Sequence, residues 1–154
     1  MTIQVDSREK AHAIQKILAT FDRQGIKWFV SKLPVGDYQS LDNAKLVIDR
    51  KQNLSELVGN VCQGHARFKA ELERANEYGI KLIVLCEHGK NINSLTDVIE
   101  WENPRLKDSP MAMSGERLYK VLSTMSAKYG VDFLFCNKAE TGTKIIELLG
   151  GEAK

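Results

Sequence analysis

Two short apolar runs, KLIVLC at 81–86 and VDFLFC at 131–136, constrain this chain more than any other feature. A strand with one wet face alternates apolar and polar residues. A continuous apolar run bounded by polar segments instead marks a strand covered on both faces, the pattern of a parallel-type sheet. Such strands require helices above and below them. The rest of the chain supplies these layers. TIQVD reads as a first strand and IKWFVSKL as another. Between them, from about Lys10 to Gln24, Ala13, Ile14, Ile17, Leu18 and Phe21 recur at helical spacing, and Gly25 is a suitable stop. A helical region follows from about Leu54 to Tyr78, interrupted near Gly59–Gly64. Ser114, followed by Glu116 and Arg117, opens a helix to about Lys128, and a last helix runs from about Glu140 to Leu149. WENPRLKDSPMAMS (101–114) carries two prolines and reads as an irregular loop. The expected architecture is α/β: a mixed central sheet flanked by helices on both faces, in a single domain.

The composition suits that architecture. The chain has 154 residues, 43% apolar and 27% charged, enough for one domain with a substantial core. A net charge of +2 selects no class of partner, so nucleic-acid binding requires a local basic patch. Cys62, Cys86 and Cys136 are odd in number and lack zinc-like spacing. They read as reduced core thiols in a cytosolic protein. No charged start with an apolar h-region marks a secretory signal, and the apolar runs are far too short to span a membrane. The expectation is a cytoplasmic protein, of a bacterium or of a phage in its host, with no membrane partner and no nucleotide cofactor. His12, His65 and His88 have no ligand spacing. Trp28 and Phe29 read as core aromatics; Trp101, beside the Pro-containing loop, reads first as core, with a dimer interface, a cover for the sheet edge or a base stack as its alternatives.

The chemistry concentrates in LPVGDYQSLDNAKLVIDRK (33–51). The LDNA segment has turn composition, so the flanking runs read as a hairpin. Alternation along the second strand points Asp49 and Lys51 the same way, with Leu46 and Ile48 toward the core. Pairing brings Asp37, on the first strand, near Asp49. Two carboxylates and a lysine converging on one strand face can hold a divalent metal beside a phosphate. On the following helix Phe68, Leu72 and Ala75 share one face, and Arg67, Glu71 and Arg74 form its neighbour.

Read in order, VDSRE (5–9), LPVGDY (33–38), IDRK (48–51), SELVGN (55–60) and ARFKAEL (66–72) resemble the XPF-type structure-specific endonuclease domain. That family shows V-D-x-R-E, G-D-Y, E-R-K, an acid before Leu, then a Gly and an Arg on a following helix. The similarity spans about residues 3–90, and 91–154 supply compatible α/β elements that complete one nuclease domain over 1–154. The resemblance implies a restriction-endonuclease-like fold and cleavage of DNA with Mg or Mn. It assigns Asp37, Asp49 and Lys51 to the core metal-binding and catalytic places, with Asp37 and Asp49 as metal ligands. Asp6, Arg8 and Glu9 match its N-terminal motif, Arg50 its central arginine and Arg67 its later arginine. Asp49 departs from the family's usual Glu. The supporting acid arrives one place late as Glu56, with Ser55 in the expected slot. The family's frequent helix-hairpin-helix module is expected to be absent.

These residue types suit phosphodiester hydrolysis. Mg prefers hard oxygen ligands in octahedral geometry, and Asp37, Asp49 and the Arg50 carbonyl can offer them. Lys51 can orient water or stabilise phosphate charge. Asp6 and Glu9 join the catalytic set by orienting water or a second metal, directly or through other groups. Arg8, Arg50 and Arg67 are expected to bind DNA phosphates or hold the acids. Lys69, Arg74, Arg105, Lys107, Arg117 and Lys120 can extend that surface. No segment resembles a major-groove reading helix, so recognition of branched DNA by shape is expected, with a homodimer or a partner subunit completing the assembly. The alternative is a non-catalytic DNA-binding or scaffold subunit on the same fold, motivated by Asp49 and the displaced Glu56. A sequence-specific restriction enzyme is a third reading.

Overall fold

The computed structural model describes residues 1–88 and 91–151. Residues 152–154, within the expected domain, lie outside the described residues. A mixed six-stranded sheet has the order β2-β1-β3-β4-β5-β6. The strands are β1 (Thr2–Val5), β2 (Lys27–Val30), β3 (Tyr38–Ser40), β4 (Asn43–Lys51), β5 (Lys81–Glu87) and β6 (Asp132–Cys136). The helices are α1 (Gln15–Arg23), α2 (Leu54–Val61), α3 (His65–Glu77), α4 (Gly115–Tyr129) and α5 (Thr141–Leu148). The two apolar runs are β5 and β6, parallel to each other, and β5 is parallel to β4. The hairpin is β3–β4, antiparallel with Tyr38 opposite Ile48.

Helices cover the sheet on both faces, and each face has its own apolar cluster. Ile14, Ile17, Phe21, Ile145 and Ile146 of the α1 and α5 regions pack with Ile3, Val5, Tyr38, Ile48, Ile83 and Leu85. On the other face Leu54, Leu57, Phe68, Leu72, Leu118 and Leu122 of α2, α3 and α4 pack with Val47, Leu82, Val84 and Phe133. The core thus takes both faces of β4: Val47 is as buried as Ile48. This corrects the expected division into one core face and one site face. Asp49 and Lys51 extend the Val47 face beyond the apolar floor, at the strand's C-terminal end.

Local chemistry explains the helix ends. The Asn53 side chain accepts from the Glu56 amide at 2.8 Å and starts α2. The Ser114 hydroxyl accepts from the Arg117 amide and starts α4, which ends at the left-handed Gly130. The helix expected from Lys10 begins at Gln15, after a 3-10 turn at Ala11–Ala13. The chain before it is held in a turn, the Glu9 amide donating to the Asp6 carbonyl at 3.1 Å while its side chain is tied to the sheet. The loop at 101–114 contains a 3-10 turn, Pro104–Lys107, and another 3-10 segment, Leu95–Glu100, precedes it.

Three side chains depart from the expected burial. Phe29 is 38% exposed, because β2 is an edge strand and its Phe29 side lacks a helix. Cys62 is exposed where α2 ends, whereas Cys86 and Cys136 are buried. Trp101 is partly buried against the α4-side cluster and meets His88 edge to face at 6.5 Å. Among the described residues no helix is long and apolar enough to cross a membrane.

Candidate active site

A cleft of about 310 Å³ opens at the C-terminal end of β4 and is lined by Arg8, Glu9, Lys10, Asp37, Asp49, Arg50, Lys51 and Glu56, among others. Its shape starts with Gly36, whose φ of +69° is a conformation that L side chains rarely adopt. A Cβ there would also collide with Val47 Cγ1. This turn delivers Asp37 onto the sheet. The Asp37 amide donates to the Ile48 carbonyl at 2.8 Å, and the Asp6 amide donates to the Asp37 carbonyl at 2.8 Å. The Arg50 amide then donates to Asp37 Oδ2 at 2.7 Å, fixing one carboxylate oxygen.

Asp37, Asp49 and Glu71 crowd together. Asp37 and Glu71 each come within hydrogen-bonding reach of Asp49. Burial, then the Asp49 charge, pushes Asp37 well above the usual carboxylate range. The same causes push Glu71 up to about 8. Asp49 Oδ2 and Glu71 Oε1 are buried without a hydrogen-bond partner. Lys51 Nζ lies 3.2 Å from Asp49 Oδ2, an ion pair without hydrogen-bond alignment. Burial would lower Lys51, but the carboxylates of Asp49, Glu56, Glu71 and Asp37 more than reverse this. Lys51 therefore remains an ammonium, 5.8 Å from the centre of the Phe68 ring.

Among the described residues no group of three or more His, Cys, Asp or Glu is arranged to enclose a metal ion. Mg does not need such a cage. It keeps several waters and is commonly held by one or two carboxylates together with substrate phosphates. Crowded acids with unpartnered buried oxygens fit a hard divalent cation, which Asp37 and Asp49 could hold with Glu71 beside them.

The other face of β4 does a different task. Arg50 points away from Asp49 and Lys51, and its side chain is only 4% exposed. Its Nε donates to Glu9 Oε1 at 2.8 Å, its Nη2 donates to Glu9 Oε2 at 3.1 Å, and its Nη1 is paired with Glu87. Tyr38 donates its hydroxyl to Glu9 at 2.9 Å, and Thr141 donates to Glu87 at 2.9 Å. Of the two tasks expected of Arg50, this geometry is that of holding acids.

Asp6 is also turned to structure. Its carboxylate accepts from Arg8 Nε at 2.7 Å and from the Leu33 amide at 2.7 Å. Burial would raise Asp6, but these bonds hold it below its ordinary value. The Asp6 carboxylate is thus tied to Arg8 and to the loop at Leu33. Glu56 accepts from the Gln52 amide at 2.7 Å, closing the turn before α2 at the rim of the cleft. Arg67 is exposed on α3 and makes no ion pair with Glu71. Glu71 turns to Asp49 instead.

Sequence reasoning missed Glu71, Glu87 and Lys10 as members of this site and its support. Glu87 carried a readable signal, an acid closing an otherwise apolar strand. Glu71 looked like half of an ordinary helix pair.

Solved structures share this arrangement of strands and helices. XPF from Aeropyrum pernix aligns over 97% of the chain at 18% identity, with a TM-score of 0.65. XPF from Aeropyrum pernix in complex with DNA aligns over 96% at 20% identity, with a TM-score of 0.67. The chain covers about 60% of the first of those chains and 62% of the second. Among curated proteins none matches it. The family model of the ERCC4 domain matches residues 5–149, from β1 to the end of α5. That span includes the hairpin, the three crowded acids and the Arg50 support, and by it the chain belongs to the ERCC4 domain family.

Proposed function

We propose that the protein is a divalent-metal-dependent DNA endonuclease that hydrolyses phosphodiester bonds in branched DNA such as flaps, forks or junctions. One observation carries the reading: Asp37, Asp49 and Glu71 crowd beside the ammonium of Lys51, with buried carboxylate oxygens left unpartnered. A bound cation would offset the repulsion among these acids once they ionise. The DNA complex of Aeropyrum pernix XPF supports the choice of polymer.

Asp37 and Asp49 would hold Mg or Mn, which when bound would offset negative charge on the phosphoryl oxygens and lower the pKa of a bound water. The chain's own residues supply the rest. The Arg50 amide fixes Asp37 Oδ2 and so decides which oxygen remains for a ligand. Lys51, held as an ammonium, is suited to stabilising negative charge on the phosphate or orienting water, and is unsuited to accepting a proton. Glu9, locked by Tyr38 and Arg50, borders the cleft as a fixed negative wall. Arg8 and Arg67 are exposed and suited to phosphate contacts, which read the backbone rather than the bases. The proposal includes a homodimer or a partner subunit, tested by sedimentation with and without DNA.

The decisive experiment is cleavage of end-labelled flap, fork, four-way and linear duplex DNA in Mg, Mn and EDTA, with Asp49→Asn as control. Metal-dependent cutting of branched DNA, lost in Asp49→Asn, is expected. DNA binding without cutting in either metal would overturn the catalytic reading and leave a scaffold subunit on the nuclease fold.

A further inference from the structure

A second groove adjoins the catalytic cleft. It holds about 550 Å³ and is lined by Arg8, Lys32, Leu33, Pro34, Arg74 and Tyr78. We propose that this groove binds a single-stranded segment of the substrate, continuous with the strand at the catalytic cleft. The proposal rests on the nuclease reading and deepens it by naming the path of one substrate arm.

The charge of the groove is the first argument. Three cations line it and no carboxylate does. Arg8 is ion-paired with Asp6, yet its side chain remains 62% exposed. Arg74 donates to the Pro34 carbonyl at 3.3 Å and has no ion pair among the described residues. Lys32 is exposed and has no ion pair among the described residues. Cations oriented by carbonyls and left open to solvent suit a run of phosphates.

Continuity is the second argument. Arg8 lines both the groove and the catalytic cleft. On α3, Arg67, Glu71, Arg74 and Tyr78 follow one another at spacings of three and four residues, one stripe along the helix. From Glu71, beside Asp49, to Tyr78 this stripe rises about 10 Å. Lys45 continues the basic rim there, donating from Nζ to the Tyr78 carbonyl at 3.1 Å.

The third argument selects unpaired bases. In-register pairing puts Phe29, Gln4, Gln39 and Val47 on one sheet face. Val47 lies under the helices, whereas Gln4 and Gln39 are half-buried and Phe29 is 38% exposed. Tyr78 is 49% exposed. An exposed ring lining a cationic path, as Tyr78 does here, is the equipment of single-strand binders, because only an unpaired base offers its face for stacking. The pocket between α3 and α4 differs. It contains His65, Lys69, Lys120 and Lys128, and two of these lysines are ion-paired with Glu73 and Glu116. At 100° per residue, His65 and Lys69 lie on the opposite flank of α3 from Glu71 and Arg74.

Fluorescence anisotropy in EDTA tests the proposal apart from catalysis. The probes are a labelled duplex with a single-stranded arm and the matching blunt duplex, each titrated with protein between about 50 and 200 mM salt. The proteins are wild type, Lys32→Gln/Arg74→Gln, Arg74→Lys, Tyr78→Ala and, as control in the α3–α4 pocket, Lys128→Gln. The double variant is expected to weaken binding of the armed DNA about tenfold and to lower the salt slope by about 1.4, two phosphate contacts at about 0.7 each. Blunt-duplex affinity should change less than about twofold. Tyr78→Ala should weaken the armed probe with an unchanged slope, while Arg74→Lys retains the slope and guards against a folding defect. The α3–α4 control should match wild type. Equal losses on armed and blunt DNA, or an unchanged slope in the double variant, would overturn the groove while leaving the nuclease reading intact. So would an effect confined to self-association. No binding of either DNA by wild type would overturn the groove, while cleavage in Mg or Mn decides the nuclease reading separately.

Discussion

Replacing Glu87 with alanine tests whether the buried Arg50 network supports the fold. Glu87 and Arg50 side chains are 3% and 4% exposed, so their charges are nearly removed from water. Burial alone would lower Arg50, but the hydrogen bonds and charges of Glu9 and Glu87 hold it above its ordinary value. Alanine removes the partner of Arg50 Nη1 and the acceptor of the Thr141 hydroxyl. Removing one member of a buried pair costs about 3–5 kcal/mol. Glu9 still grips the guanidinium through two bonds, which favours the low end, about 3 kcal/mol. At a urea m-value of about 2 kcal/mol per M, the midpoint should fall by about 1.5 M. Equilibrium unfolding followed by Trp28 and Trp101 fluorescence measures it. Glu87→Gln can keep both contacts while losing the charge, and should lose about half as much. A midpoint within about 0.3 M of wild type for Glu87→Ala would refute the reasoning, since an orphaned buried guanidinium cannot be that inexpensive.

Three other substitutions probe the site and its frame. Glu71 has its folded pKa raised to about 8 from an ordinary 4.5, so its contribution is fully present below about pH 4.5 and is lost as pH rises through about 8. In metal-free buffer, Glu71→Gln should flatten that part of the decline in stability between about pH 5 and 9, read from urea midpoints across pH. Gly36→Ala combines a left-handed penalty of about 1–2 kcal/mol with a collision at Val47, and should lower Tm by about 6–12 °C. Differential scanning calorimetry showing a loss below about 2 °C would mean that the turn relaxes freely. Ser114→Ala removes the α4 cap and should cost about 1 kcal/mol, again by urea unfolding.

The legible parts of this protein were those encoded over short distances. The hairpin, its turn and the shared direction of Asp49 and Lys51 follow from strand alternation alone, and Gly36 places Asp37 within the same segment. The two apolar runs announced covered strands, and β5 and β6 lie between helical layers. Glu71 was not legible as a site member, because its approach to Asp49 depends on how α3 settles over β4 and β5. Its spacing from Arg67 pointed equally well to a helix pair. Phe29 failed for a topological reason. Nothing within IKWFVSKL says that the strand will stand at the edge of the sheet, beside a face that no helix covers. Arg50 was readable only in part. Alternation already separates it from Asp49 and Lys51, but the acid that completes its socket lies on β5.

That separation gives β4 two opposed electrostatic tasks. Toward the cleft, Asp37, Asp49 and Glu71 crowd beside the one ammonium of Lys51, and burial, then the Asp49 charge, raises Asp37 and Glu71. Toward the other face, Arg50 is bonded to both Glu9 and Glu87, and its pKa is raised. The two sides meet in one residue, because the Arg50 backbone amide holds Asp37 Oδ2 while its side chain is fixed by Glu9 and Glu87. A shift of Arg50 within its socket therefore moves a carboxylate on the opposite face. Thr141, which fastens Glu87, is the first residue of α5. The C-terminal part of the chain, which carried no recognisable site motif, thus bears on the position of Asp37 through two hydrogen bonds, one ion pair and a strand's width of backbone.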